Sequence, residues 1–246
     1  MTYKEYLEKI RLFSPKTIFI YLKYSHELNR FDLDYQKLLI SKSGISNNTR
    51  RIIVSAIKCY YKFLNDKRHE ELSLPKKEIN VHDFVSFQEY KEYLLKINKK
   101  TKMGFQKYII IRMLFETGIR ASELLNMRIE DIRGNKIVIN GKGKRQRVVT
   151  ISNWLCSELM EYVRSRNGQI ILFKFGYKNL YNKISILDKT RKLSPHMFRR
   201  GYARYCYSKE VSIYDISLSM GHSSIETTAT YISRKSEDVL MYKVFE

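Results

Sequence analysis

KIVINGKGKRQRVVTI, residues 136–151, reads as two short β-branched runs, Lys136 to Asn140 and Arg145 to Ile151, on either side of Gly141-Lys142-Gly143-Lys144. Alternation with period two marks a strand with one buried face, and two such runs around a glycine-rich turn form an antiparallel hairpin. This hairpin is the one clear sheet element in a chain whose other patterns are helical. The expected fold class is therefore mainly α with a small antiparallel β-sheet.

Toward the N-terminus, Ser14-Pro15 pairs an N-cap residue with a proline at the first helical position, and Ile18, Tyr21, Leu22 and Leu28 follow at helical spacing. This reads as a first helix. A second is expected from Asp34 to Ser41, and a third carries the stripe Ile52, Ile53, Ala56, Ile57, Tyr60, Leu64. The segment from Asn65 to Asp83 is charged, contains Pro75 and lacks a period, so it reads as a linker. The expected division is a helical domain at 1–75 and a second domain at 76–246. Within the second, Ser86-x-x-Glu89 is a capping box, Tyr108 to Glu116 is the core of a helix, and Pro195 to Tyr207 is another.

At 246 residues and 43% hydrophobic, the chain has material for one large domain or two ordinary ones. Lys and Arg number 46 against 25 Asp and Glu, a net charge of +21, and both expected domains share the excess. So much like charge points to an anionic partner, and nucleic acid fits better than a membrane surface because no helix sets Lys and Arg opposite a fully apolar face. Cys59, Cys156 and Cys206 are odd in number and far apart, which supports neither a disulfide framework nor a zinc finger. Lys4, Glu5, Glu8 and Lys9 occupy the place of a signal peptide's apolar core, and no apolar run approaches membrane-spanning length. A cytoplasmic protein is expected.

Four segments carry groups suited to a phosphate. In Thr117-Gly118-Ile119-Arg120-Ala121-Ser122-Glu123-Leu124, Gly118 ends one helix and Arg120 opens the next. Lys142 stands between two glycines that let the backbone approach a ligand closely. His196 and Arg199 form an i, i+3 pair on one helical face. Gly221-His222 is followed by Tyr231 nine residues later.

Taken in order, the T-G-x-R-x-S-E-L box at 117–124, the G-K-G-x-x-x-R hairpin at 141–147, the H-x-x-R box at 196–199, the G-H at 221–222 and the tyrosine at 231 resemble the active-site boxes of the tyrosine recombinase (integrase) family, particularly its short Xer-type members. The resemblance spans nearly the whole chain. It implies an N-terminal helical core-binding (SAM-like) domain and a C-terminal catalytic domain that hold a DNA duplex between them, with no metal and no other cofactor. It implies further that Tyr231 is the nucleophile, Arg120 and Arg199 clamp the scissile phosphate, Lys142 is the general acid, His196 is a general base or proton shuttle, and His222 donates a hydrogen bond to the phosphate. Glu123 is carried over as a carboxylate that orients its neighbours, with a purely structural role as the alternative. Lys144, Arg145 and Arg147 are expected to contact the DNA backbone. The expected assembly is a homotetramer on DNA, or one mixed with a related recombinase.

A phosphodiester under attack gains negative charge on its non-bridging oxygens, which two planar guanidiniums can hold. Guanidiniums and an ammonium supply the positive charge that a metal ion supplies elsewhere, and a phosphotyrosyl bond retains the energy for religation. His196, His222 and Cys206 match no zinc spacing. Arg200 reads as an ordinary salt-bridge partner. A type IB topoisomerase shares the chemistry, but the short helical N-terminal module favours the recombinase; a DNA-binding protein with a degenerate catalytic domain is a third reading, against which every expected catalytic residue type is present. Val148-Val149-Thr150 stands where many relatives have a proline. Gly201 costs a helix about 1 kcal/mol relative to Ala, so close packing or DNA approach is expected there. The apolar residues Val239, Leu240, Met241, Val244 and Phe245 are too few for a core and are expected to dock on a neighbouring subunit, or alternatively on their own domain.

Overall fold

Thr2 and Glu5 cap each other across the first turn of the chain, the Glu5 amide donating to Thr2 and the Thr2 amide to the Glu5 carboxylate, and start α1 (Tyr3–Glu5), which runs into a π-helical turn at Tyr6–Ile10. Helix thus begins before the Ser14-Pro15 start that the sequence marks as the first. The structure, a computed structural model, describes residues 1–76, 78, 83–141, 146–166 and 168–232. Lys142, Lys144 and Arg145 of the hairpin turn, and the apolar residues 239–245, lie outside the described residues.

The chain divides into two units, Met1–Asn80 and Val81–Glu246. In the first, Ser14 caps α2 (Pro15–Asn29), the Asp34 carboxylate accepts from two amides at the start of α3 (Tyr35–Ser41), and Ser46 caps α4 (Asn47–Phe63). Leu28, Leu38, Ile53, Ile57 and Tyr61 form one buried cluster, and Tyr3, Leu7, Ile18 and Cys59 a second. The stretch expected as a linker is built into this unit. It forms α5 (Arg68–Glu71), buries Leu72 in the first cluster, and accepts hydrogen bonds from α4 through Lys58 to the Leu72 carbonyl (3.0 Å) and Arg51 to the Pro75 carbonyl. Apolar residues scattered among charges give no periodicity to read, yet Leu72 and the two hydrogen bonds from α4 hold the segment down.

In the second unit, Ser86 and Glu89 form the expected capping box and open α6 (Phe87–Leu95). Behind it, α7 (Lys102–Thr117) buries every residue from Tyr108 to Phe115 and is the spine of the core. A short α8 (Ala121–Leu125) leads to the sheet, β1 (Ile132–Arg133), β2 (Lys136–Asn140) and β3 (Gln146–Thr150), antiparallel in that order. The expected hairpin strands are present, and β1 is an addition that two residues cannot announce in sequence. Register pairs Ile137 with Val149 and Ile139 with Arg147. Ile137, Ile139 and Val149 are buried, so this face of the hairpin turns inward, and Arg147 turns inward with it.

Then follow α9 (Asn153–Arg164), α10 (Tyr177–Ser185), α11 (Pro195–Ser208), α12 (Ile213–Met220) and α13 (Ile225–Ile232). The core joins Ile109, Leu114 and Phe115 of α7 to Leu155 and Leu159 of α9 and Phe198 of α11. Each side chain so buried contributes roughly 1.5–3 kcal/mol. Gly201 of α11 is explained by packing, since a Cβ there would lie 2.0 Å from the Val85 carbonyl oxygen. No described helix is long and apolar enough to cross a membrane.

Candidate active site

Gly118 closes α7 in the left-handed conformation, φ 58°, and a Cβ there would strike the Tyr202 ring at 2.4 Å. Two residues later Arg120 is the N-cap of α8, with Glu123 at the third helical position. The Glu123 carboxylate accepts from the Arg120 amide (2.9 Å) and from its Nη1 (2.8 Å). The box at 117–124 is therefore a helix stop and a helix start in immediate succession, and that junction sets the direction of Arg120.

Arg147 approaches the same carboxylate from β3. Its Nη1 and Nη2 donate to the two Glu123 oxygens at 3.1 and 2.9 Å, and its Nε donates to the Ser219 carbonyl at 2.7 Å. Expected as a DNA contact, Arg147 instead has its guanidinium turned inward and engaged. The signal was available: Val149 faces the core, so period two sends Arg147 the same way. Burial alone would raise the Glu123 pKa, but the bonds from Arg147 and Arg120 overcome it and hold the carboxyl down at about 2.

Arg199, on α11, is 1% exposed. Its Nη1 donates to the Gly118 carbonyl, its Nη2 donates to the Met220 carbonyl at 2.9 Å, and its Nε is buried without a partner. Burial first, and Arg120 second, lower its pKa to about 10. Arg120 reaches the same Met220 carbonyl at 3.4 Å and the Gly221 carbonyl at 2.9 Å. Three successive carbonyls at the C-terminus of α12 thus hold Arg147, Arg199 and Arg120. Helix C-termini leave such carbonyls unpaired and attract cations.

Gly221 ends α12 at φ 64° and sends His222 back across the site. His222 Nδ1 lies 2.7 Å from the Thr228 hydroxyl, and its ring meets the Tyr231 ring edge-on at 5.2 Å. Burial, then Arg199, Arg120 and Arg147, push the His222 pKa down to about 3. His196 is exposed, yet desolvation first, then Arg200, Arg199 and Arg120, lowers its pKa as well. The His222 imidazole is therefore neutral at physiological pH, and the neutral form of His196 is favoured.

The structure brings Arg120, Glu123, Arg147, Arg199, His222 and Tyr231 together, with His196 at their border. Two further residues were not singled out as site residues in the sequence. Among the described residues Arg200 makes no salt bridge; its Nη1 donates to the Asp83 carbonyl at 3.0 Å and its guanidinium stands 5.6 Å from the Tyr231 ring centroid. Thr228 is fully buried behind His222. Neither belongs to a spacing that sequence could flag. Among the described residues, no group of three His, Cys, Asp or Glu side chains could hold a metal ion.

Comparison with known proteins agrees with this geometry. The chain is 28% identical over 241 residues to the tyrosine recombinase XerA of Thermococcus kodakarensis, covering 89% of this chain and 84% of that protein. It is 30% identical over 208 residues to the tyrosine recombinase XerA of Pyrococcus horikoshii, covering 78% and 71%. Its fold matches that of the Tn1549 transposon integrase in complex with circular intermediate DNA at a TM-score of 0.72 and 16% identity, over 100% of this chain and 99% of that one. Residues 83–237, most of the chain, match the phage integrase family. On its site, its fold and that match, the chain belongs to the phage integrase family of tyrosine recombinases.

Proposed function

We propose that the chain is a site-specific DNA recombinase that cleaves and rejoins strands through a 3′-phosphotyrosyl intermediate on Tyr231. The observation that carries the reading is the meeting of Arg120 and Arg199 at the Met220 carbonyl, with His222 and Tyr231 beside them. Two guanidiniums so placed hold the two non-bridging oxygens of a phosphodiester as charge develops on them. The Tyr231 oxygen attacks phosphorus and gives up its proton to His196, whose surroundings favour the neutral form that can take it. The bond to the 5′-oxygen breaks, and Lys142, assigned by its motif, protonates the leaving oxygen. Attack by a 5′-hydroxyl reverses the step and reseals the strand. His222 donates to the phosphate, and Glu123 orients the arginines around it.

Residues 1–75 serve as the helical core-binding domain and 76–246 as the catalytic domain, both contacting double-stranded DNA. Lys144 and Arg145 contact the DNA backbone. Four copies, or a mixture with a related recombinase, assemble on two sites in the cytoplasm. The net charge of +21, the names of the XerA relatives and the DNA complex of the Tn1549 integrase support this reading.

A nicked suicide duplex, which traps the covalent step, tests it. The chain is expected to form a covalent adduct, and Tyr231→Phe to bind the duplex with unchanged affinity and form none. An adduct that persists in Tyr231→Phe removes the nucleophile assignment. Relaxation of supercoils without exchange between two duplexes would make the enzyme a topoisomerase instead.

A further inference from the structure

His222 is hydrogen-bonded through one ring nitrogen only. Nδ1 faces the Thr228 hydroxyl at 2.7 Å, while Nε2 has no partner among the described residues and is not enclosed. Thr228, in α13, is 0% exposed, and among the described residues His222 is the one hydrogen-bond partner of its side chain. A hydroxyl carries a single proton and a neutral imidazole carries one on either nitrogen, so the pair has two arrangements. If Nδ1–H donated to Thr228, the hydroxyl hydrogen would be left without an acceptor in a buried place, a penalty that displaces the equilibrium roughly tenfold. If the hydroxyl donates to Nδ1, every proton is satisfied and the ring proton resides on Nε2.

We propose that Thr228 is a positioning residue: its hydroxyl donates to Nδ1 of His222 and fixes the imidazole as the Nε2–H tautomer, so that the open ring nitrogen is a hydrogen-bond donor. The proposal deepens the reading above, in which His222 donates to the scissile phosphate. A neutral ring can do so through Nε2 only if that nitrogen bears the proton. Protonating both nitrogens is opposed by burial and by Arg199, Arg120 and Arg147, which face the ring from α11, α8 and β3, against the lone opposing charge of Glu123. Thr228 and Tyr231 also lie three residues apart on α13, so the same bond ties the nucleophile's helix to the end of α12.

The test is a long-range proton–nitrogen spectrum of the full chain labelled at histidine, with the His222 signals identified by their loss in His222→Gln. The expected result is an Nε2–H ring with a hydrogen-bonded Nδ1 in the wild type and in Thr228→Ser. In Thr228→Val the two nitrogen signals should move toward averaging, and covalent cleavage of the suicide duplex should slow roughly tenfold, the worth of one hydrogen bond, while Thr228→Ser stays within about twofold of wild type by the same reasoning. A wild-type ring protonated on Nδ1 overturns the proposal, as does a Thr228→Val protein whose ring spectrum and cleavage rate both equal the wild type's. If the spectra are as expected but no form of the protein makes an adduct, the tautomer assignment stands and the recombinase reading falls.

Discussion

Arg147 holds both oxygens of Glu123, at 3.1 and 2.9 Å, from a strand on the far side of the site from α8. Both side chains are nearly removed from water, so breaking the pair strands a buried charge. Arg147→Ala is expected to destabilise the protein by about 3 kcal/mol at neutral pH, less than a complete loss because Arg120 still serves Glu123. The sign with pH follows from the depressed carboxyl. The contribution of Glu123 is complete above its ordinary value of 4.5 and is lost as pH falls toward about 2. Urea unfolding should therefore show the gap between wild type and Arg147→Ala narrowing through that window, and a gap that stays constant there would contradict the pairing.

The general acid can be separated from the clamp by substrate chemistry. Lys142→Ala should slow cleavage of ordinary DNA severely, yet cleave a substrate with sulfur at the bridging 5′ position nearly as fast as the wild type, because a thiolate leaves without a proton. Arg120→Ala and Arg199→Ala should gain nothing from the sulfur, since their proposed role is to hold the non-bridging oxygens, which the sulfur leaves unchanged. Rescue of Lys144→Ala in place of Lys142→Ala would move the role two residues along.

Helix starts were legible wherever a cap is local chemistry: Ser14 with Pro15, Asp34, and Ser86 with Glu89 all stand at the helix ends that their sequence marks. Thr2 and Glu5 carry the same kind of local signal and start helix twelve residues before Ser14-Pro15. What sequence hid is non-local. Two residues become β1 because β2 is beside them, and Leu72 anchors a charged stretch because a cluster waits for it. The site follows the same division. Arg120, Arg199, His222 and Tyr231 were read from their boxes, whereas the partner that Arg147 would find, and the burial of Thr228 behind His222, depend on segments 24 and 6 residues away folding back.

Gly201→Ala tests packing against propensity. A helix gains about 1 kcal/mol from the exchange, but here the new Cβ would sit 2.0 Å from a backbone oxygen of Val85, which no rotamer change relieves. Thermal unfolding should report a net loss of about 2 kcal/mol. A stabilised variant would mean that the Val85 segment yields freely.

Removing residues 237–246 should leave binding of one chain to a single site intact and weaken cooperative assembly on a two-site duplex, because the apolar residues of that segment are proposed to dock on a neighbouring subunit. Gel-shift titrations on one-site and two-site duplexes separate the two effects. Unchanged cooperativity would return the segment to its own domain.

The end of α12 has a consequence for control. Ser219, Met220 and Gly221 register side chains that arrive from three different segments, so the last turn of one helix works as a common gauge for the positive charge of the site. Unwinding that turn, or sliding it by one residue, would take one anchor from each of the three guanidiniums at once, leaving Arg120 and Arg147 on Glu123 and Arg199 on the Gly118 carbonyl. The three arginines of the site thus share one mechanical reference, and a displacement of the end of α12 would be felt by all of them together.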